Sequence, residues 1–333
     1  MHYGIYKEFE DADKRILAGA PEWGRVGISK FAKDCDAYVD DHFGFRPDLI
    51  RWNILMRIHL FGVAPLHSAI VEKDTWLFYC SEALDDGESI NDFMGLIPFS
   101  EAALERLRIK LEENHLKFAE SGIKYIVAIA PSKHTIYSEY LPARLAKNAS
   151  RTRLEQFCDH MDKRSSIKVL DLSGALSKEK SRLAVYWATD SHWNSYGAYV
   201  GYREIMRRIS DFYPNTGVIE LGGHLAVERR GKGGDIARIL FIQDVWPEKN
   251  DTVLELDLER IQSQLDKLVF RHDSFGDALY PYLSKHFRKI TSVAPFAPFR
   301  FEEVLRERPQ IVLHLFAERY LTQAVHDDFH YKE

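Results

Sequence analysis

The chain has 333 residues, of which 45% are apolar and 29% charged, so it can form one large α/β domain or two smaller ones and is neither disordered nor fibrous. The formal charge is -5, and Lys and Arg are spread along the whole length. Because no basic stripe is present, the sequence favours neither nucleic acid nor an anionic membrane surface as a partner.

The three cysteines, Cys35, Cys80 and Cys158, lie far apart, with no CxxC pair and no zinc-ligand spacing. This pattern predicts isolated thiols, with neither a disulfide framework nor a metal site, although a single disulfide is compatible with the count.

No window reaches the roughly 18 to 20 apolar residues that a membrane-spanning helix needs. The best window, residues 49–70, is interrupted by charged residues and by Pro65. The first fifteen residues, MHYGIYKEFEDADKR, lack the basic, apolar and small-residue regions of a secretory signal. Two alternatives remain: a cytoplasmic protein, or one whose leader has been removed.

Residues 7–60 have helical spacing of apolar positions and predict two or three helices, with a turn at 44–50 in which Pro47 begins the next helix. Residues 69–80 predict a β-hairpin, because two apolar stretches flank a polar tip. A helix is expected from Ser100 to Gly122, where serine caps the start and glycine ends it.

After this helix, strands and helices alternate. The predicted strands are 124–130, 167–172, 268–270, 289–294 and 310–316, and the predicted helices are 152–163, 198–209, 276–286 and 301–306. Short β-branched strands alternating with helices predict an α/β domain with a mainly parallel sheet covered on both faces. Glycine-rich residues 211–263, with a strand-like stretch at 252–258, interrupt the pattern and are interpreted as a loop-rich insertion. The simplest division is an N-terminal helical extension, 1–68, packed on a catalytic domain, 69–333.

Two loops carry residues suited to catalysis, and we expect both to follow strands of the sheet, where α/β proteins bind ligands. In the first loop, 186–198, Asp190 lies two residues before His192, so its carboxylate can fix the imidazole tautomer and stabilise the imidazolium. In the second, 269–279, Ser274 lies where a strand gives way to a helix. Its hydroxyl would be exposed there, and the nearby amides of Phe275 and Gly276 could stabilise an oxyanion.

Each loop taken alone is a weak signal, because Asp-x-His is common and Asp-Ser is also a good helix cap. Several other residues admit a structural and a functional interpretation. Lys133 could lie in the site or cap a helix, and Trp193 and Tyr196 could stack on sugar rings or belong to the core. Asp235 and Arg238 fit a buried structural pair better than substrate contacts. Glu318 and Arg319 are expected to brace the last strand.

A set of motifs in fixed order gives the chain a family resemblance. The motifs are DDHFGFRPDLI (40–50), IVEKDTWLFY (70–79), PSKHTIYSEYLP (131–142), TDSHWNSYGA (189–198), GGDIARIL (233–240), FRHDSFG (270–276) and IVLHLFAERYL (311–321). In this order they resemble the SGNH-hydrolase-like domain of alginate O-acetylation proteins of the AlgX and AlgJ type. The DSHWN and DSF loops are the specific part of the resemblance, which covers most of the chain.

The resemblance implies an SGNH-hydrolase-like three-layer α/β/α fold whose motif order is circularly permuted, with Asp190, His192 and Ser274 as acid, base and nucleophile. It also implies an O-acetyltransferase that acetylates an alginate- or cellulose-like exopolysaccharide through an acetyl-serine, without metal or cofactor. The donor would be supplied through a membrane-bound O-acyltransferase partner. The place of action would be periplasmic or otherwise extracytoplasmic, with a possible N-terminal membrane tether.

The sequence departs from the commonest pattern at His272, where glycine is frequent in GDS-type serine loops. A side chain there can narrow the turn or bring a second imidazole to the site. Two alternatives stay open: an acetylesterase with the same triad and water as acceptor, and a non-catalytic sugar-binding subunit of an exopolysaccharide secretion complex. The polymer, the acetylated hydroxyl and the oligomeric state are not indicated by the sequence.

Overall fold

A parallel β-sheet of five strands forms the central layer, in the order β4-β3-β9-β7-β8. The computed structural model describes residues 17–22, 27–61, 69–71, 76–80, 88–147, 151–228, 231–248, 251–256, 264–294 and 300–321. The strands are β1 (Ala69–Val71), β2 (Leu77–Tyr79), β3 (Lys124–Ala130), β4 (Val169–Asp171), β5 (Leu221–Glu228), β6 (Asp251–Leu256), β7 (Leu265–Arg271), β8 (Phe287–Val293) and β9 (Ile311–Ala317).

Helices cover both faces of the sheet. The helices among the described residues are α1 (Ile28–His42), α2 (Arg46–Phe61), α3 (Glu88–Phe93), α4 (Glu101–Glu120), α5 (Lys133–Ile136), α6 (Arg153–Arg164), α7 (Ser173–Glu179), α8 (Ser195–Ser210), α9 (Asp235–Ile239), α10 (Ser274–Asp277), α11 (Tyr280–Leu283) and α12 (Phe301–Glu307). Short 3-10 turns occupy Ser138–Tyr140, Ala143–Leu145 and Glu318–Tyr320.

Successive residues of β3 point to opposite sides of the sheet, as the period of a strand requires. Val127 packs in a core with α4 and α6, whereas Ala128 packs in a second core with α8. Two cores on the two faces of one parallel sheet make three layers, which confirms the predicted α/β fold class.

Two long helices begin at side-chain caps, which explains why sequence placed them well. The Ser100 hydroxyl accepts a hydrogen bond from the Ala103 amide at 3.2 Å, and Thr152 forms a reciprocal capping box with Glu155. Gly122 ends the first of these helices at a φ of +72°, a left-handed conformation that glycine adopts without strain.

Three predicted elements differ from the structure. The helix expected over 276–286 is divided into α10 and α11, because Pro281 lacks an N–H and its ring would clash with a preceding carbonyl of a continuous helix. The loop-rich stretch contains β5, which pairs antiparallel with β6 around an irregularity between Leu221 and Leu225. Loop 186–198 follows α7 and not a strand of the central sheet.

The N-terminal helices contact the rest of the molecule through one side of α2. Ile54 and Ile58 are buried in a small core with Leu77, Ile236 and Leu240. The opposite side of this region is apolar and exposed, with side chains at Phe45, Leu49, Trp52, Met56 and Leu60. Within the described residues, no helix combines the length and the apolar content that crossing a bilayer requires. The predicted helical content of 7–16 and 23–26 lies outside the described residues, and the boundary at residue 68 stays a prediction.

Candidate active site

Ser274 begins α10 just beyond the end of β7, and its side chain is exposed. The residue before it, Asp273, holds this turn in place. Asp273 Oδ1 accepts a hydrogen bond from the Phe275 amide at 2.9 Å, and Oδ2 accepts one from the Ala317 amide at 2.6 Å. Burial raises the pKa of Asp273, partly offset by these two hydrogen bonds. The serine is therefore fixed to the ends of two neighbouring strands, β7 and β9.

His192 lies between Ser274 and Asp190. Its Nε2 is 2.7 Å from Ser274 Oγ, and its Nδ1 is 2.7 Å from Asp190 Oδ1. The same carboxylate oxygen accepts the backbone amide of His192 at 3.0 Å, so the loop folds back on itself as the Asp-x-His spacing suggested. The Phe275 ring, 5.0 Å from the imidazole centroid, supports the ring from the side.

A second carboxylate reaches the same imidazole. Asp235, the first residue of α9, accepts hydrogen bonds from the Ser191 amide at 2.7 Å and from the Ser191 hydroxyl at 2.6 Å. Its Oδ2 is 3.4 Å from His192 Nδ1, and its own amide donates to Asp190 Oδ2 at 3.0 Å. Two acids thus face one ring nitrogen, and backbone amides hold both.

The two carboxylates govern the charge of the imidazole. Burial alone would lower the pKa of His192, but the hydrogen bonds to Asp190 and Asp235 outweigh it and raise that pKa from 6.5 to about 9. Burial also opposes the ionisation of Asp235, yet its bond to His192 holds the pKa of this carboxyl well below its usual range. The resting imidazole is therefore a stabilised cation near neutral pH.

The buried side chain of Lys133 holds the loop that carries Asp190 and His192. The ammonium of Lys133 donates to the carbonyls of Leu77 and Ala188 at 2.7 Å each and to that of Asp190 at 3.0 Å. Desolvation lowers its pKa to about 7. Lys133 is 3% exposed, so it supports the loop from behind and is not open to a substrate.

Trp193 and Tyr196, considered above as sugar-stacking residues, lie in the core, and each is 1% exposed. The Trp193 indole N–H donates to the Phe275 carbonyl at 3.1 Å, which links the loop of His192 to the helix of Ser274. The Tyr196 hydroxyl donates to Glu179 at 2.6 Å. Neither ring presents a face to solvent.

His272 packs against the turn that follows it. Its Nδ1 donates to the Asp273 carbonyl at 2.7 Å, and its Nε2 lies 3.3 Å from Ser292 Oγ. A Cβ at Gly276 would lie 2.4 Å from His272 Cβ, so only glycine fits at 276 beside this histidine. In this chain, the His272 side chain therefore requires a glycine at 276.

The two amides expected to form the oxyanion site are already engaged. The Phe275 amide donates to Asp273 Oδ1 at 2.9 Å, and the Gly276 amide donates to the Asp273 carbonyl at 2.9 Å. Ser274 is the first residue of its helix, where an amide has no partner within the helix. An amide at this first position of a helix is a candidate donor to a developing oxyanion.

Glu318 and Lys133 support the site from neighbouring elements. Glu318, directly after β9, accepts hydrogen bonds from the Ser132 amide and the Thr135 hydroxyl, both at 2.7 Å. Burial raises the pKa of Glu318 to about 8. Arg319 lies with its guanidinium 5.5 Å from the Phe275 ring centroid. Glu318 therefore joins the end of β9 to the segment after β3, as the expected bracing role implies.

The acidic pair and His192 are close enough to raise the question of a cation. Among the described residues, potential ligand atoms of Asp190, His192 and Asp235 lie within 4.8 Å of one another. These atoms already contact one another, since His192 Nδ1 lies 2.7 Å from Asp190 Oδ1 and 3.4 Å from Asp235 Oδ2. The chemistry of the set is that of a hydrogen-bonded base with two acidic partners.

Two supporting residues were not assigned their roles from sequence. Asp235 was expected to pair with Arg238, but Arg238 is exposed and Asp235 bonds instead to Ser191 and the Asp190–His192 pair. Glu248, for which the sequence predicts no role, accepts the amides of Ala188 and Thr189. The sequence signal for Asp235 is the Gly-Gly pair that precedes it. The structure explains this pair, because a Cβ at Gly234 would lie 2.4 Å from Asp190 Cβ.

The parallel sheet with helices on both faces agrees with an SGNH-hydrolase-like fold. Residues 70–254, more than half of the chain, match the family described as an SGNH hydrolase-like domain of the acetyltransferase AlgX. The chain therefore belongs to this family of AlgX-like acetyltransferases.

Similar proteins agree with this family. A probable alginate O-acetylase AlgJ from Pseudomonas syringae pv. tomato is 25% identical over 254 residues, which are 75% of this chain and 60% of that protein. The solved structure of Pseudomonas aeruginosa AlgX is similar with a TM-score of 0.50 and 18% identity, covering 78% of this chain and 63% of AlgX. A DHHW family protein from Eubacterium siraeum has a TM-score of 0.54 and 14% identity, covering 80% and 95% of the two chains. The two structural likenesses concern the fold.

Proposed function

We propose that this protein is an O-acetyltransferase that acetylates hydroxyls of a bacterial exopolysaccharide, alginate- or cellulose-like, with Ser274 as nucleophile, His192 as base and Asp190 as its orienting acid. The observation that carries the proposal is the continuous contact from Ser274 Oγ through His192 to Asp190, with 2.7 Å at each step. A hydroxyl, a base and an orienting carboxylate in series are the parts that nucleophilic serine chemistry needs.

The first half-reaction forms an acetyl-enzyme. The step starts from the neutral form of His192. Ser274 Oγ gives its proton to His192 Nε2 and bonds to the carbonyl carbon of the donor's acetyl group, and the Ser274 amide stabilises the negative oxygen. The bond from that carbon to the donor's leaving group then breaks, and the leaving group takes the proton from Nε2. An acetyl ester on Ser274 remains, and His192 is neutral again.

The second half-reaction transfers the acetyl group. A sugar hydroxyl gives its proton to His192 Nε2 while its oxygen bonds to the acetyl carbon. The bond to Ser274 Oγ breaks as the intermediate collapses, and the serine recovers the proton from Nε2. Asp190 stabilises the imidazolium in both halves, since its carboxylate faces Nδ1 at 2.7 Å.

The setting of the reaction is proposed from the relatives of this chain. The curated relatives are named alginate O-acetylases, and the chain spans 60% of the Pseudomonas syringae relative and 42% of its Pseudomonas aeruginosa counterpart. By extension we place the activity in the periplasm or another extracytoplasmic space, with the acetyl donor supplied through a membrane-bound O-acyltransferase partner. No metal or organic cofactor takes part in the proposed steps.

An acetylesterase is a second candidate, because the Ser274 side chain is exposed and water can reach it. The two candidates share the acetyl-enzyme and differ only in the acceptor. Adding an unacetylated uronate or glucan oligosaccharide to the reaction separates them: acetylated sugar supports the transferase, and free acetate as the sole product supports the esterase.

The experiment that tests the nucleophile is p-nitrophenyl acetate turnover with intact-mass and peptide analysis. We expect the wild type to release p-nitrophenol and to carry one acetyl group on Ser274 at short times. Ser274→Ala should lose both signals, whereas Ser177→Ala, which alters an exposed serine on α7, should keep them. Turnover retained by Ser274→Ala, or an acetyl group on another residue, would overturn the assignment.

A further inference from the structure

We infer that Asp235 is a positioning residue of this site, a second carboxylate that fixes the ring of His192 and sets the pH range in which the imidazole can act as a base. The inference rests on the proposed function for its catalytic meaning. Asp235 itself touches neither the nucleophile nor any atom that would react.

The geometry shows how Asp235 acts on the ring. Asp235 Oδ2 is 3.4 Å from His192 Nδ1, whereas Asp190 Oδ1 is 2.7 Å from the same nitrogen. Nδ1 therefore faces a near carboxylate and a more distant one. The other contacts of Asp235 lead to the same loop, since both its oxygens accept from Ser191, the residue between the two triad members. Removing Asp235 would therefore release Ser191 as well as a negative charge.

Asp235 also holds the first carboxylate. Its backbone amide donates to Asp190 Oδ2 at 3.0 Å, and the Gly234 amide donates to the Thr189 hydroxyl at 2.8 Å. The start of α9 is thus built against residues 189–191. A Cβ at Gly234 would collide with Asp190, so this approach requires the glycine. The glycine just before Asp235 thus allows the start of α9 to lie against Asp190.

The other charged groups around the imidazole can be assigned. Asp190 and Asp235 face Nδ1, and the neutral Ser274 hydroxyl faces Nε2. Asp273 is an electrostatic neighbour, but both its oxygens are engaged by backbone amides. The ammonium of Lys133 reaches the Asp190 carbonyl behind the loop. Asp235 is therefore the group beyond the triad whose charge acts directly on the base.

The consequence is a trade between two requirements. A second carboxylate favours the imidazolium, which forms when Ser274 or a sugar hydroxyl loses its proton. It also keeps the resting imidazole protonated up to a higher pH, and a protonated imidazole cannot accept that proton. Activity should accordingly rise with pH through the titration of His192, and Asp235 should determine where this rise lies.

The test compares Asp235→Asn with wild type in two measurements. The first is the pH dependence of kcat/KM for p-nitrophenyl acetate. The second is the titration of the His192 ring by NMR, with His192→Gln used to assign the resonance. Asparagine keeps the shape and can still bond to Ser191. We expect the activity rise and the ring titration both to move to lower pH by about one pH unit or more.

Matched variants separate charge from structure. Asp277→Asn removes an exposed carboxylate from the helix of Ser274 and should move the titration less than Asp235→Asn does. Asp190→Asn should lower kcat far more, because it removes the near acceptor of Nδ1. A role limited to structure would lower the rate of Asp235→Asn equally at every pH, and an unmoved ring titration would overturn the inference.

The same design distinguishes failure of the proposed function. If wild type neither turns over the ester nor forms an acetyl-serine, the function is wrong, while the NMR titration still decides whether Asp235 governs His192. A cation held by Asp190 and Asp235 would give a different result. Wild type would lose turnover in EDTA and regain it with zinc, whereas Asp235→Asn would not respond to either. That result would make Asp235 a metal ligand and overturn the inference.

Discussion

Lys133 and Glu248, two buried side chains of opposite charge, both bind backbone groups of the short segment 188–190. Lys133 donates to the carbonyls of Ala188 and Asp190, and Glu248 accepts the amides of Ala188 and Thr189. Buried backbone groups need partners, and here two ions supply them. The backbone groups of the irregular segment before His192 thus have hydrogen-bond partners although the segment is not part of a sheet.

Lys133→Met tests this support. The variant keeps an unbranched side chain but leaves three buried carbonyls and Glu248 without the ammonium, so we expect the free energy of unfolding to fall by about 3 kcal/mol. Turnover should fall with it, because the loop carries the proposed base. Urea denaturation measures the stability, with Lys178→Met, an exposed lysine on α7, as control. Equal stability of the two variants would contradict the supporting role.

Trp193→Phe tests the link between the two catalytic loops. The indole N–H bond to the Phe275 carbonyl is lost while most of the ring remains, so we expect a stability loss of about 1 kcal/mol. We expect kcat to fall by about tenfold or more, because the distance from His192 to Ser274 is no longer held. Trp52→Phe, at a side chain 71% exposed, is the matched control. A tenfold change in KM with kcat untouched would argue against a positioning role.

The pair Gly276 and His272 predicts a specific rescue. Gly276→Ala should destabilise the fold by about 2 kcal/mol, because its Cβ would lie 2.4 Å from His272 Cβ. Adding His272→Gly should restore stability and turnover, whereas adding His272→Ala should not, since alanine keeps the offending Cβ. Thermal unfolding and ester turnover of the four proteins decide the matter. Rescue by alanine would show that the ring, and not Cβ, sets the conflict.

The charge of His192 predicts a pH-dependent stability. Its pKa is raised in the folded protein from 6.5 to about 9, so its contribution is fully present below pH 6.5 and is lost as pH rises through about 9. The stability difference between wild type and His192→Gln should therefore shrink across this interval. Urea denaturation at several pH values measures it, with His42→Gln, an exposed histidine on α1, as control. A difference that grows with pH would contradict the raised pKa.

Sequence was sufficient wherever a local signal determines the structure. Ser100 and Thr152 mark helix starts by their own side-chain bonds, and the apolar run of β3 has the composition of a strand buried on both faces. Pro281 is also a local signal, since proline disfavours a continuous helix, and it accounts for the division of the predicted helix 276–286.

Sequence was insufficient where the contact is made across the fold. Asp235 lies 45 positions from Asp190, and nothing in its own surroundings indicates that partner except the two glycines before it. Glu248 lies 59 positions from Thr189, in a stretch without regular pattern. The residues alone indicated that His192 and Ser274, 82 positions apart, lie in two loops at one edge of the sheet, and the family resemblance implied their roles as base and nucleophile.

The hairpin of β1 and β2 bears on where the chain can be cut. The Leu77 amide donates to the Ala188 carbonyl at 2.8 Å, and the Lys133 ammonium joins the carbonyls of the same two residues. A shortened protein that starts beyond Cys80 would discard one wall of this arrangement although it kept every residue of the proposed triad. For recombinant work, a fragment with an intact site therefore includes β2, and an N-terminal deletion that removes Leu77 should be inactive.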